Sequence, residues 1–206
     1  HQQIYAIDVA VGMIREALQK SGIDKNTVII YTSDNGFFCG SHGYGSKVLP
    51  YEESSRVPLI IYDPRHPNSG KKLRTSALTG NIDFAPTILS LAGISSPENM
   101  DGQNLMTVYD KPKSSLHHSL PLINVWGKEP THALGVVTED MKYLYWGYAA
   151  KGFKPSDELY DLKKDPLEKE NKFSSSDYQK ARKKMQKLYD QHLTHWQESA
   201  VAYNNY

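Results

Sequence analysis

The stretch that decides the fold begins Val28-Ile29-Ile30-Tyr31-Thr32-Ser33-Asp34-Asn35-Gly36. It continues through Gly40-Ser41-His42-Gly43 and Lys47 to Pro50-Tyr51-Glu52-Glu53 and Arg56-Val57-Pro58. Its opening is a short, continuous, β-branched run, which reads as a buried strand over 26–33. Asp34-Asn35-Gly36 ends that strand with turn chemistry. A glycine-rich loop fills 36–45, and residues 57–62 form a second apolar run that reads as a second buried strand.

Working outward, Ile4, Ile7, Val11, Ile14 and Leu18 recur at spacings of three and four, one stripe of an amphipathic helix. Gly22 stops it. Beyond a Pro/Gly loop at 64–72, Asp83 is placed to N-cap a helix over 84–91. Pro86 sits in its first turn and Gly93 at its end. Strand and helix alternating in this way predict an α/β layer. After Asp110 the character changes to a polar linker (111–115) and short segments rich in Val, Tyr and Trp. Residues 133–138 and 141–148 flank Glu139-Asp140 as an antiparallel hairpin, and 158–162 reads as a further strand. Met185, Leu188, Leu193 and Trp196 then mark a last helix. The expected division is residues 1–110 as an α/β domain and 111–206 as an α+β subdomain: a small antiparallel sheet closed by a C-terminal helix.

Composition narrows the function classes. The chain has 206 residues, 39% hydrophobic and 23% charged, with net charge +1, so no global field draws in nucleic acid or a membrane. No apolar run approaches the ~20 residues of a membrane span. The basic run 180–187 falls on a helical pattern and reads as a solvated face. Cys39 is the sole cysteine, which excludes an internal disulfide. The chain opens on His1-Gln2-Gln3 without an initiator methionine, which reads as a fragment or a processed chain.

Asp34 and Asn35 stand where a strand ends, the place where open α/β sheets bind ligands. A carboxylate beside an amide oxygen suits a hard cation such as calcium. Lys47 supplies a compact positive charge across the loop.

Taken together and in order, 28–58 resembles the sulfatase family of the alkaline phosphatase superfamily. That family pairs a strand ending in Ser-Asp-(Asn or His)-Gly with a Gly-x-His-Gly loop, a lysine, Tyr-Glu and Arg-x-Pro. Asp83-Phe84-Ala85-Pro86-Thr87 with Leu91-Ala92-Gly93 is similar to the family's Asp-x-x-Pro-Thr helix. Glu158-Leu159-Tyr160-Asp161-Leu162 with Asp165-Pro166 and Glu168 is similar to its C-terminal segment. The resemblance implies the C-terminal half of an alkaline-phosphatase-like sandwich and sulfuric ester hydrolysis. It implies Asp34 and Asn35 as ligands of Ca2+, Lys47 as the sulfate-binding lysine and His42 as a loop histidine near the substrate. Tyr51, Glu52 and Arg56 read as an ion-pair and hydrogen-bond frame under the loop.

The family's nucleophile is a formylglycine made within Cys/Ser-x-Pro-x-Arg. Cys39-Gly40-Ser41 lacks the proline, and Ser95-Ser96-Pro97-Glu98-Asn99 lacks the arginine. The resemblance therefore places the nucleophile and two aspartate ligands in an N-terminal half of the same protein. It implies a sulfated small molecule or saccharide as substrate and a periplasmic, secreted or lysosomal setting. Two other readings stand beside it. One is a phosphodiesterase or phosphonate hydrolase of the same superfamily. The other is a non-catalytic carbohydrate-binding module using Trp126 and Trp146. A metal shared by His192 and His195 has no evident third ligand, and His117-His118 carry no assignment.

Overall fold

The structure of the chain, a computed structural model, describes residues 1–126, 131–147, 152 and 154–199, with the backbone alone at 125, 126, 131 and 132. It divides into two compact units, residues 1–33 with 58–74 and residues 34–57 with 75–206.

The first unit holds α1 (Gln2–Lys20), β1 (Ile29–Thr32) and β4 (Leu59–Tyr62). α1 ends in a Schellman motif: Gly22 takes φ 69°, its N–H reaches the Gln19 carbonyl, and Ile23 N–H reaches that of Leu18. The predicted stripe is present but mostly exposed, with Ile4 at 69% and Ile14 at 56%, while Val11 and Leu18 are half-buried. β1 and β4 pair antiparallel, from Ile29 opposite Tyr62 to Thr32 opposite Leu59. Neither is the buried strand its composition predicts. β1 is half-buried throughout, and β4 alternates half-buried with exposed. A two-stranded sheet has too little surface to cover both of its own faces.

The second unit is built on a four-stranded antiparallel sheet in the order β5 (Leu120–Trp126), β6 (Thr131–Val137), β7 (Met141–Gly147), β8 (Ser156–Asp161). The β6–β7 hairpin turns where Glu139-Asp140 predicts it, closed by Thr138 N–H to the Met141 carbonyl at 2.8 Å. Both sheet faces are used. Leu134, Val136, Tyr143 and Leu159 pack against Met185 and Tyr189 of α5 (Gln179–Glu198). Ala133, Leu144, Trp146 and Tyr160 pack instead against Phe38 and Tyr51, from the predicted glycine-rich loop and the segment after it. That loop is a two-residue hairpin, β2 (Phe38–Cys39) with β3 (Gly45–Ser46), followed by the single turn α2 (Glu52–Ser55).

Two further helices complete the unit, α3 (Phe84–Leu91) and α4 (Met106–Asp110). α3 ends at Gly93 in a second Schellman motif. Asp83 does not cap α3 with its side chain as predicted. Wholly buried, its carboxylate accepts from Gly80 N–H, Gln103 N–H and His117 Nε2, at 2.8, 2.7 and 2.7 Å. A buried carboxylate must be hydrogen-bonded, and three donors outcompete one cap. Among the described residues, no helix is long and apolar enough to cross a membrane.

Candidate active site

Asp34 and Asn35 form a tight local turn. Asp34 Oδ1 accepts the Asn35 N–H at 2.9 Å, and Asn35 Nδ2 donates to the Gly36 carbonyl at 2.8 Å. The amide orientation leaves Asn35 Oδ1 directed at Lys47, whose Nζ donates to it at 3.0 Å and stands 4.0 Å from Asp34 Oδ2. Asn81 Nδ2 ties down the Asp34 carbonyl at 2.9 Å. Gly36 is required by a close approach: a Cβ there would sit 2.0 Å from the Glu53 carbonyl oxygen, and Gly36 N–H donates to Ser54 O at 2.8 Å.

The Lys47 and Asp34 side chains are 48% and 82% exposed. Exposed ion pairs contribute about 0–1 kcal/mol, so this one has little value to the fold. Its backbone is strained nonetheless. Ser46 and Val48, on either side of Lys47, take φ 71° and 96°, and for β-branched Val48 that is a true outlier. Strain of about 1–3 kcal/mol per residue persists only where the surroundings impose it, and it gathers at functional sites.

His42 lies elsewhere in the loop. Also at positive φ (54°), it stacks on Tyr51 with ring centroids 4.4 Å apart, and its Nε2 is 3.5 Å from Glu53 Oε2. With Glu168 it forms a group whose ligand atoms lie within 4.8 Å of one another. A nitrogen–carboxylate set of this kind suits transition metals better than calcium. Glu168 Oε1 already has a cation, the Lys142 ammonium, at 2.8 Å.

Calcium fits the other location by donor chemistry. Two hard oxygens, Asp34 Oδ2 and Asn35 Oδ1, face one cationic group. Six to eight oxygens are usual for calcium, so these two would be part of the shell.

The frame under the loop is as the sequence indicates, with partners it did not reveal. Tyr51 OH donates to Glu158 Oε2 at 3.0 Å, and burial followed by the Glu158 charge pushes its phenol far above the ordinary range. Glu52 Oε1 pairs with Lys142 at 2.9 Å, and Arg56 lies 3.6 Å from Glu52 Oε2. Lys142 carried no sequence signal, because it occupies an inward strand position where a charge is unexpected. Ser54, through its hydroxyl and its carbonyl, and Asn81, through its side-chain amide, hold the loop by hydrogen bonds that no spacing predicts.

The remaining candidates part company. His192 meets Ser119 Oγ and His195 meets Asp101, both at 2.9 Å, so each ring nitrogen facing a partner faces a different one. Trp146 is 6% exposed and packs in the core 6.0 Å from Tyr51, so it offers no sugar-stacking surface. The Trp126 side chain lies outside the described residues.

A mixed α/β chain with this loop and this C-terminal sheet matches the sulfatase class of alkaline-phosphatase-like folds. Residues 40–195 match the family model described as N-sulphoglucosamine sulphohydrolase, C-terminal. An N-acetylglucosamine-6-O-sulfatase of Bacteroides thetaiotaomicron is 33% identical over 91% of this chain and 34% of its own length. A solved protein in complex with its substrate, D-glucosamine-2-N,6-O-disulfate, superposes with TM-score 0.84 at 31% identity, covering 95% of this chain and 40% of that one. The phosphonate monoester hydrolase of Agrobacterium radiobacter gives TM-score 0.79 at 25% identity, covering 93% and 40%. The chain belongs to the sulfatase family, to its C-terminal part, and spans about a third of the length of the curated relatives it matches.

Proposed function

We propose that this chain is the C-terminal part of a calcium-dependent sulfatase acting on a sulfated saccharide. One observation carries the reading: Asp34 Oδ2, Asn35 Oδ1 and Lys47 Nζ converge beside strained backbone in an exposed cluster whose ion pair adds little to the stability of the fold. Asp34 and Asn35 would hold the calcium, which when bound neutralises charge on the sulfate oxygens. Lys47 directs its ammonium at the same oxygens and opposes the negative charge that moves onto the leaving oxygen. His42, held against Tyr51 and Glu53, belongs to the same loop and is assigned a place near the substrate by the family motif. Residues 1–206 contain no Cys/Ser-x-Pro-x-Arg motif, so the formylglycine nucleophile and the remaining calcium ligands are assigned to upstream residues. A sulfated amino sugar is the favoured substrate, by likeness to the N-acetylglucosamine-6-O-sulfatase and to the disulfated glucosamine complex.

In the full-length protein, Lys47→Ala is expected to lower kcat on a sulfate ester by about 100- to 1,000-fold, the usual cost of one transition-state donor. Steady-state kinetics measures it, and an undiminished rate would remove Lys47 from the site. The likeness to the phosphonate monoester hydrolase favours a second reading, phosphonate or phosphodiester hydrolysis on the same scaffold. Parallel assays on a sulfate ester and a phosphonate monoester separate the two.

A further inference from the structure

Lys142 is wholly buried in β7. Its Nζ meets Glu52 Oε1 at 2.9 Å, Glu168 Oε1 at 2.8 Å and Ser55 Oγ at 3.4 Å. Glu168, 1% exposed, uses its second oxygen to accept the Glu52 N–H at 2.6 Å. Burial pushes its carboxyl above the ordinary range, and the Lys142 ammonium offsets only part of that.

All these contacts fall on α2 or on the residue that holds it. Four residues of helix cannot hold themselves together, so α2 sits where its partners put it. α2 in turn holds both arms of the site. Ser54 Oγ accepts the N–H of strained Val48 at 3.0 Å, immediately after Lys47. The Ser54 carbonyl accepts the Gly36 N–H at 2.8 Å, immediately after Asp34-Asn35.

We infer that Lys142 is a positioning residue for Lys47: with Glu168 it fixes α2 by way of Glu52, and α2 clamps the loop on both sides of the anion site. The inference rests on the sulfatase reading and adds a residue to it, about a hundred positions from the loop in sequence.

Buried ion clusters can often be replaced by neutral groups of similar shape without loss of stability. That separates positioning from simple support. The test uses full-length enzyme bearing Lys142→Met, the neutral pair Lys142→Met/Glu168→Gln, Lys47→Ala, and each of the first two combined with Lys47→Ala. Near-ultraviolet circular dichroism checks folding, and kcat and KM are measured on a sulfate ester. Lys142→Met and the neutral pair are expected to lower kcat about 10- to 100-fold while folded, as misplacement of a reacting group by about 1 Å does. In the Lys47→Ala background the same changes should cost less than about 3-fold, because coupled residues are not additive. Equal losses in both backgrounds, no loss in either, or unfolding of both Lys142 variants would overturn the positioning role. An inactive parent enzyme would instead defeat the sulfatase reading itself.

Discussion

Asp34, Asn35 and Lys47 stand out in the sequence through the ordered motif they share, and the structure brings their side chains together. Their exact partners are not legible in the sequence. The 3.0 Å bond from Lys47 to Asn35 depends on a loop with three non-glycine residues at positive φ, which no propensity foretells. His42 shows the same gap. The motif places it in the loop, and the fold turns its ring onto Tyr51 and Glu53. Another histidine sets a pH response. Burial, then the neighbouring His195 and His117 charges, holds His192 below the ordinary imidazole pKa. Well above about pH 6.5 the ring is neutral in both folded and unfolded chains. As pH falls through that value, the unfolded chain takes up the proton first, and the folded state loses stability. Urea unfolding near pH 7.5 and near pH 5.5 should show the lower stability at the acid pH. His192→Gln should narrow the difference, and an unchanged difference would clear His192 of the effect.

Elements were legible where one face or one turn dominates: α1, the β6–β7 hairpin and α5 all appear where periodicity and turn residues put them. The predicted buried strands were misread because a β-branched run reports the pleat, not what covers it. β2 and β3, at two residues each, are too short to leave a pattern. They matter through Phe38, 1% exposed and packed edge-on to Tyr51 in the core cluster that Leu144 and Trp146 share. Phe38→Ala should cost about 3–5 kcal/mol, the usual range for emptying an aromatic core site. Denaturant midpoints measure this; a loss below about 1 kcal/mol would mean that the loop does not share the sheet's core.

For the molecule as a whole, the ordered motifs revealed the family, while the contacts joining them required coordinates. Glu168 and Glu52 stand 116 residues apart and yet share a hydrogen bond. The proposed metal site belongs to this scale too, because the Asp34 and Asn35 side chains would supply only part of a calcium shell. By calorimetry, the 206-residue chain is expected to bind calcium more weakly than about 10⁻³ M, and the full-length protein more tightly. The isolated chain should hydrolyse a sulfate ester no faster than its own Lys47→Ala variant. Micromolar calcium affinity or real turnover in the isolated chain would contradict the assignment of upstream residues to the site.

Because one face of the β5–β8 sheet is floored by Phe38 and Tyr51, the loop that carries Lys47 is not a portable cassette. Transplanted into a foreign scaffold without β7 and β8, it would carry Glu52 stripped of its buried Lys142 counter-ion and a pair of aromatics with nowhere to lie. Any recombination within such proteins that keeps the loop working must therefore inherit the tail of the chain along with it.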